Sequence, residues 1–167
     1  MDKLNNQILL DHLTRKFGQQ IQLTGEPHGL LTIQTSKESL IEVLRFLKED
    51  AYLQVNYLTD ITAVHYPHQQ EAFAVVYHLH ALVYNVRLRI KVFLDKDNPI
   101  IPTATTLYQG ANWMERETFD FYGIQFEGHP DLRRILNMDE LDVFPMRKEY
   151  PLEDPNRIDK KDFYFGR

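Results

Sequence analysis

A chain of 167 residues, 43% of them hydrophobic, is long enough to bury a core in one domain of ordinary size, with or without an extension. It has no cysteine, which excludes a disulfide framework, a thiolate nucleophile, Cys-ligated zinc and Cys-held iron–sulfur clusters. With 19 Lys+Arg against 24 Asp+Glu the net charge is −5, against the basic stripe that a general nucleic-acid binder needs. No apolar run approaches the roughly 20 residues of a membrane span. Met1-Asp2-Lys3-Leu4 has no basic segment leading into an apolar one, so a secretory leader is not expected and the cytoplasm is favoured.

Asp2 is placed to cap a first helix on which Leu4, Ile8, Leu9, Leu13 and Phe17 recur at helical spacing, with Gly18 as its stop. Ile21 to Thr24 and Leu30 to Gln34 read as short strands joined through Gly25-Glu26-Pro27-His28-Gly29. Thr35-Ser36-Lys37-Glu38 has the capping-box pattern, with Thr35 as the cap, ahead of a helix carrying Leu40, Val43, Leu44 and Leu47 on one face. Tyr52 to Tyr66, Glu71 to Tyr84 and Asn85 to Leu94 alternate apolar and polar residues as half-buried strands do, with turns at 67–70 and at Tyr84-Asn85. The fold class is therefore α+β: a two-layer α-β-β-α-β-β-β body over 1–98, with two helices on one face of a mainly antiparallel sheet. A loop and a further helix are expected over 99–122, and an extended arm over 123–167.

The C-terminal third, which includes the arm, is set apart by composition. Charged residues make up 21 of the first 110 positions but 22 of the last 57, and six of the eight prolines stand at 99 or beyond. Such a segment has no obvious core of its own. Yet Phe119, Phe121, Tyr122, Phe126, Phe144, Tyr150 and Phe163 punctuate it, and plain disorder is poor in aromatics, so ordering against a partner is expected.

Metal, acid–base and nucleophilic chemistry each have candidate residues. His78 and His80 share one face of a strand, with His65 and His68 near in sequence. If 67–70 makes a hairpin, position 65 faces 73 and 78 faces 60, which separates His65 from His78 by more than about 10 Å at roughly 3.3 Å per residue. A zinc site needs convergence near 2 Å, so His78 beside Asp60 reads as a cross-strand polar pair. Glu115 and Glu117 would point about 200° apart on a helix and cannot share one small substrate. Gly123 and Gly128 lack the context of a phosphate loop, and serine occurs only at 36 and 39, without a nucleophile elbow.

What stands out is Trp113-Met114-Glu115-Arg116-Glu117-Thr118-Phe119-Asp120-Phe121-Tyr122-Gly123-Ile124-Gln125-Phe126, followed by Gly128-His129-Pro130-Asp131-Leu132-Arg133-Arg134-Ile135-Leu136. A helix with aromatics and charges on nearly every side is usually buried or sandwiched between partners, and paired guanidiniums suit forked binding of carboxylates at desolvated interfaces. In order and spacing these residues resemble the signature of the C subunit of the proton-pumping NADH:quinone oxidoreductase, respiratory complex I. The likeness extends to Pro102-Thr103-Ala104-Thr105 upstream and to Phe144-Pro145-Met146-Arg147-Lys148-Glu149-Tyr150-Pro151-Leu152 downstream, and it is weakest over 1–50. Val64-His65-Tyr66 departs from the family, which more often has an acidic residue before the tyrosine.

The resemblance implies a peripheral-arm subunit with no catalytic, metal or cofactor-binding residues of its own. The complex it implies uses FMN, iron–sulfur clusters, NADH and quinone, all held by other subunits. It implies a place on the cytoplasmic side of the cell inner membrane, reached only through the complex. Its partners would be the cluster-bearing subunits and, chiefly, the large quinone-site subunit wrapped by the arm. Glu115, Arg116, Glu117, Asp120, His129, Arg133 and Arg134 are the expected interface residues. The equivalent subunit of a membrane-bound hydrogenase, or of a ferredoxin- or deazaflavin-fed quinone reductase, is the alternative. A free-standing metal-dependent enzyme built on the histidines is a distant one.

Overall fold

A computed structural model describes residues 3–150. Helix α1 spans Asn6–Phe17 and turns Leu9, Leu13 and Phe17 inward. Asp2 lies outside the described residues; the cap is Asn5, whose side-chain oxygen accepts from the Ile8 N–H at 2.9 Å. Gly18 ends the helix at φ +53°, as expected of a glycine stop.

Strands β1 (Ile21–Gly25) and β2 (Leu31–Thr35) pair antiparallel and lead into α2 (Lys37–Glu49). The cap of α2 is Ser36 rather than Thr35: the Ser36 hydroxyl accepts from the Ser39 N–H at 3.4 Å. Thr35 is still in the ladder, paired with Ile21, and its hydroxyl donates to the Gln20 carbonyl. Leu40, Val43, Leu44 and Leu47 are fully buried, each contributing about 2 kcal/mol by removal from water.

Strands β3 (Tyr57–His65), β4 (Phe73–Ala81) and β5 (Val86–Leu94) follow. The strand expected from Tyr52 begins only at Tyr57. Asp50 accepts the N–H groups of Tyr52 and Leu53, curling the chain into a turn whose Leu53 and Val55 point inward and mimic strand alternation. The hairpin register is the expected one, with His65 opposite Phe73 and Asp60 opposite His78. Strand order is β1-β2-β5-β4-β3; the central β2–β5 pair is parallel and every other pair antiparallel.

Past residue 98 the chain adds a β-α-β unit. Strands β6 (Ile100–Pro102) and β7 (Gln125–Glu127) pair parallel across helix α3 (Ala111–Tyr122). Ile101, Ala104, Tyr108, Ala111, Ile124 and Phe126 are buried in the same cluster as the helix-facing side of the large sheet. The β-α-β unit thus shares one buried cluster with the large sheet. Among the described residues no helix is long and apolar enough to cross a membrane.

A candidate subunit interface around helix α3

Helix α3 sends its charges in opposite directions. Glu115 is fully buried, whereas Glu117 and Trp113 face outward, as the 200° offset requires. The Glu115 carboxylate accepts from the Thr103 hydroxyl at 2.5 Å and the Ala104 N–H at 2.6 Å, pinning α3 to the end of β6. His129 lies beside it, 4.0 Å away. Its Nδ1 accepts from the Asp131 N–H, so the ring proton sits on Nε2 and is donated to the Asn112 carbonyl. Burial pushes the Glu115 carboxyl up to about 7, against the opposing pull of those two donors.

Asp120 is the hub of the following segment. One carboxylate oxygen accepts three consecutive backbone N–H groups, from Ile135, Leu136 and Asn137, at 2.8–3.1 Å. The other takes Arg134 at 2.8 Å. The rest of the Arg134 guanidinium donates to the carbonyls of Asp120, Leu141 and Val143 and lies over the Phe144 ring. Arg116 donates to the carbonyls of Arg133 and Arg134. Arg134 reaches the Asp120 carboxylate through one nitrogen and spends its other donors on carbonyls, and Arg116 binds carbonyls alone, so neither makes a fork on a carboxylate.

A third cluster ties down residues 144–149. Arg147 donates to the Tyr122 carbonyl at 2.7 Å and is sandwiched between the rings of Phe73 and Phe144. His65, stacked on Phe73, accepts the Lys148 N–H at 2.9 Å; burial holds its pKa below the ordinary value, with Glu149 opposing. All of this closes over Gly123, the left-handed cap of α3 at φ +73°, where an added Cβ would stand 2.5 Å from Phe144 and 2.7 Å from Arg147. Gly123→Ala is expected to cost about 2 kcal/mol or more, from left-handed strain plus displacement of Phe144. Amide exchange at Arg147 and Lys148 should quicken at least about tenfold, and unchanged protection there would refute the close approach.

With these groups engaged internally, other side chains are left outside. Arg133 is exposed and, among the described residues, its side chain pairs only with Asp131. Trp113, Leu136, Met138, Met146 and Tyr150 are exposed apolar side chains on the same C-terminal stretch. Trp113 and Pro130 wall an open groove of about 470 Å³ floored by Thr105, Gln109 and Gly128. The histidines are engaged elsewhere: His78 lies between Asp60, at 3.6 Å, and Arg89, and His80 meets Asn85. Among the described residues no three His, Asp or Glu side chains gather as metal ligands would.

Sequence reasoning missed Thr103 and Asn112 as partners, His65 and Arg147 as a clasp, and the role of Gly123. Only the last carried a local signal, a glycine directly after a helical run.

Fold and site define an α+β domain that organises its own C-terminal segment and presents it outward. Residues 33–156 match the family described as respiratory-chain NADH dehydrogenase, 30 Kd subunit, and the chain belongs to that family. The C subunit of the NADH-quinone oxidoreductase of Bartonella tribocorum is 42% identical over 144 residues, 86% of this chain and 70% of that protein. A solved trypsin-resistant fragment of Nqo5 is similar at TM-score 0.62 and 32% identity, covering 75% of this chain and 97% of the fragment. A chain of the membrane-bound sulfane sulfur reductase, an archaeal respiratory membrane complex, shares the fold at TM-score 0.73 and 23% identity, over 87% of this chain and 85% of its own.

Proposed function

We propose that the chain is a cofactor-free positioning subunit in the peripheral arm of a proton-translocating NADH:quinone oxidoreductase, on the cytoplasmic side of the inner membrane. It binds none of the FMN, iron–sulfur clusters, NADH or quinone that the complex uses. It docks on the large quinone-site subunit and the neighbouring cluster-bearing subunits. The observation that carries this reading is the segregation around α3: Glu115, Asp120, Arg134 and His129 are turned inward, while Trp113, Leu136, Met138 and Met146 are exposed on the segment they fasten. A segment ordered in advance loses less entropy on docking, and exposed aromatics and arginines are the usual anchors. Arg116 shapes the segment from behind, whereas Glu117 and Arg133 face the partner. Identity of 42% to the C subunit of such an oxidoreductase favours this complex over a related hydrogenase or ferredoxin-fed reductase.

The test is Trp113→Ala combined with Arg133→Glu. Arg134 is left alone, because reversing it would break the Asp120 hub and confound folding with docking. Assembled complex on a native gel is expected to fall at least about tenfold, from losing anchors worth about 1–2 kcal/mol each. The isolated chain's melting temperature should move by less than about 2 °C. Normal complex levels would overturn the reading.

A further inference from the structure

The side of the large sheet turned away from α1 and α2 carries its own pattern. Along β5, Arg87, Arg89 and Lys91 alternate with the core residues Leu88, Ile90 and Val92, so three cations follow one another on the outer face at about 7 Å spacing. Their neighbours across β4 are His80, His78 and Val76, and across β2 Arg89 and Lys91 face Thr32 and Gln34. The acid on this grid is Asp60 on β3, one strand further out and facing His78 rather than a cation. The neutral His78 ring accepts from Arg89 Nε at 3.1 Å. The side chains of Arg87 and Lys91 have no hydrogen-bond or ion-pair partner among the described residues. At the Arg87 end the strip opens into a depression of about 1010 Å³, to which Lys3, His28 and Asn85 contribute and where Glu26 is held by Asn6.

Adjacent like charges on a strand repel, and among the described residues almost no acid is placed to neutralise these. Resting on the assignment to the oxidoreductase, we propose that this cationic sheet face is a second docking surface, separate from the α3 side, that receives an acidic surface of another subunit. Opposite potentials across an interface fix register and speed encounter. Three cations on a chain of net charge −5 are too few for a polyanion held through many phosphates.

The test uses the full chain, tagged and expressed in its host. Carbodiimide treatment of the purified complex should join Lys91 to an Asp or Glu of another subunit. Arg87→Glu/Lys91→Glu should lower co-purifying subunits at least about fivefold in 0.15 M salt, while the charge-matched control Lys16→Glu/Arg45→Glu on the helical side leaves them within about twofold. Equal effects of the two doubles, or none from the first, would overturn the proposal. So would loss, in the first double only, of self-association or of binding to phosphatidylglycerol vesicles, which would assign the strip to a second copy or to lipid. A wild-type chain that brings down no oxidoreductase subunit would instead refute the assignment on which the proposal rests, and the proposal with it.

Discussion

Asp120→Ala is expected to lower the folding stability of the chain by about 3–5 kcal/mol, the scale for removing one partner of a buried, hydrogen-bonded ion pair. Its side chain is inaccessible to solvent and that of Arg134 is 10% exposed, so neither charge can recover its interactions from water. Alanine leaves the N–H groups of Ile135, Leu136 and Asn137 without their acceptor and the guanidinium without its counter-charge. Asp120→Asn keeps the shape but must turn its NH₂ toward either the three N–H groups or the arginine, all of them donors, so it should cost about 2–3 kcal/mol. Burial opposes ionisation of Asp120, but the backbone N–H groups of Asn137 and Leu136 and the Arg134 guanidinium outweigh it and hold the carboxyl well below its usual value. On acidification the unfolded chain therefore takes up this proton before the folded one does. The stabilisation is complete at neutral pH and declines as pH falls below about 4. Urea unfolding of wild type and both variants at pH 7 and pH 3 measures this. A change below about 1 kcal/mol at pH 7 for Asp120→Ala would refute the hub.

The contrast between α3 and the body shows where a sequence is readable. Strands β3 to β5 announce themselves because nine residues of alternation encode two faces, and the hairpin turn alone fixes His78 against Asp60. Strands β6 and β7 have three residues each, too few for any period, and they meet only because α3 folds back between them. Thr35 and Ser36 are both competent caps; tertiary pairing of Thr35 with Ile21 decides between them. The charged signature was legible as a pattern but not as a set of directions. Charged residues are rarely buried, which is the prior that places Glu115 and Asp120 at a surface. Their carboxylates are instead satisfied by an N–H 11 residues upstream and by three N–H groups 15 to 17 residues downstream. Over 123–150 the aromatic arm also folds back on the chain's own α3 and β3–β4 hairpin, through pairings such as Lys148 with His65 that span 83 residues and leave no local pattern.

Glu115→Gln should convert the other buried carboxyl of α3 into a pH-independent strut. In the folded chain burial raises Glu115 from 4.5 to about 7, so between those values the native state keeps a proton that the unfolded state has released. Stability from this group therefore falls as pH rises through that window, and the full penalty, about 3 kcal/mol at roughly 1.4 kcal/mol per unit, is present above pH 7. Glutamine is never charged. Its carbonyl can still accept the Ala104 N–H, while its NH₂ faces Thr103, whose hydroxyl can turn to accept and donate onward to Thr105. Glu115→Gln should match wild type near pH 5 and exceed it by about 2–3 kcal/mol at pH 8. Glu115→Ala, which orphans the Ala104 N–H at every pH, should be less stable than Glu115→Gln throughout by about 1–3 kcal/mol. Urea midpoints at pH 5, 6, 7 and 8 decide the matter: a wild-type-to-Gln difference that stays constant over this range would mean that Glu115 does not hold its proton in the folded chain. A difference that grows with pH would make the junction of α3 with β6 tightest in acid, when the carboxyl that joins them is neutral.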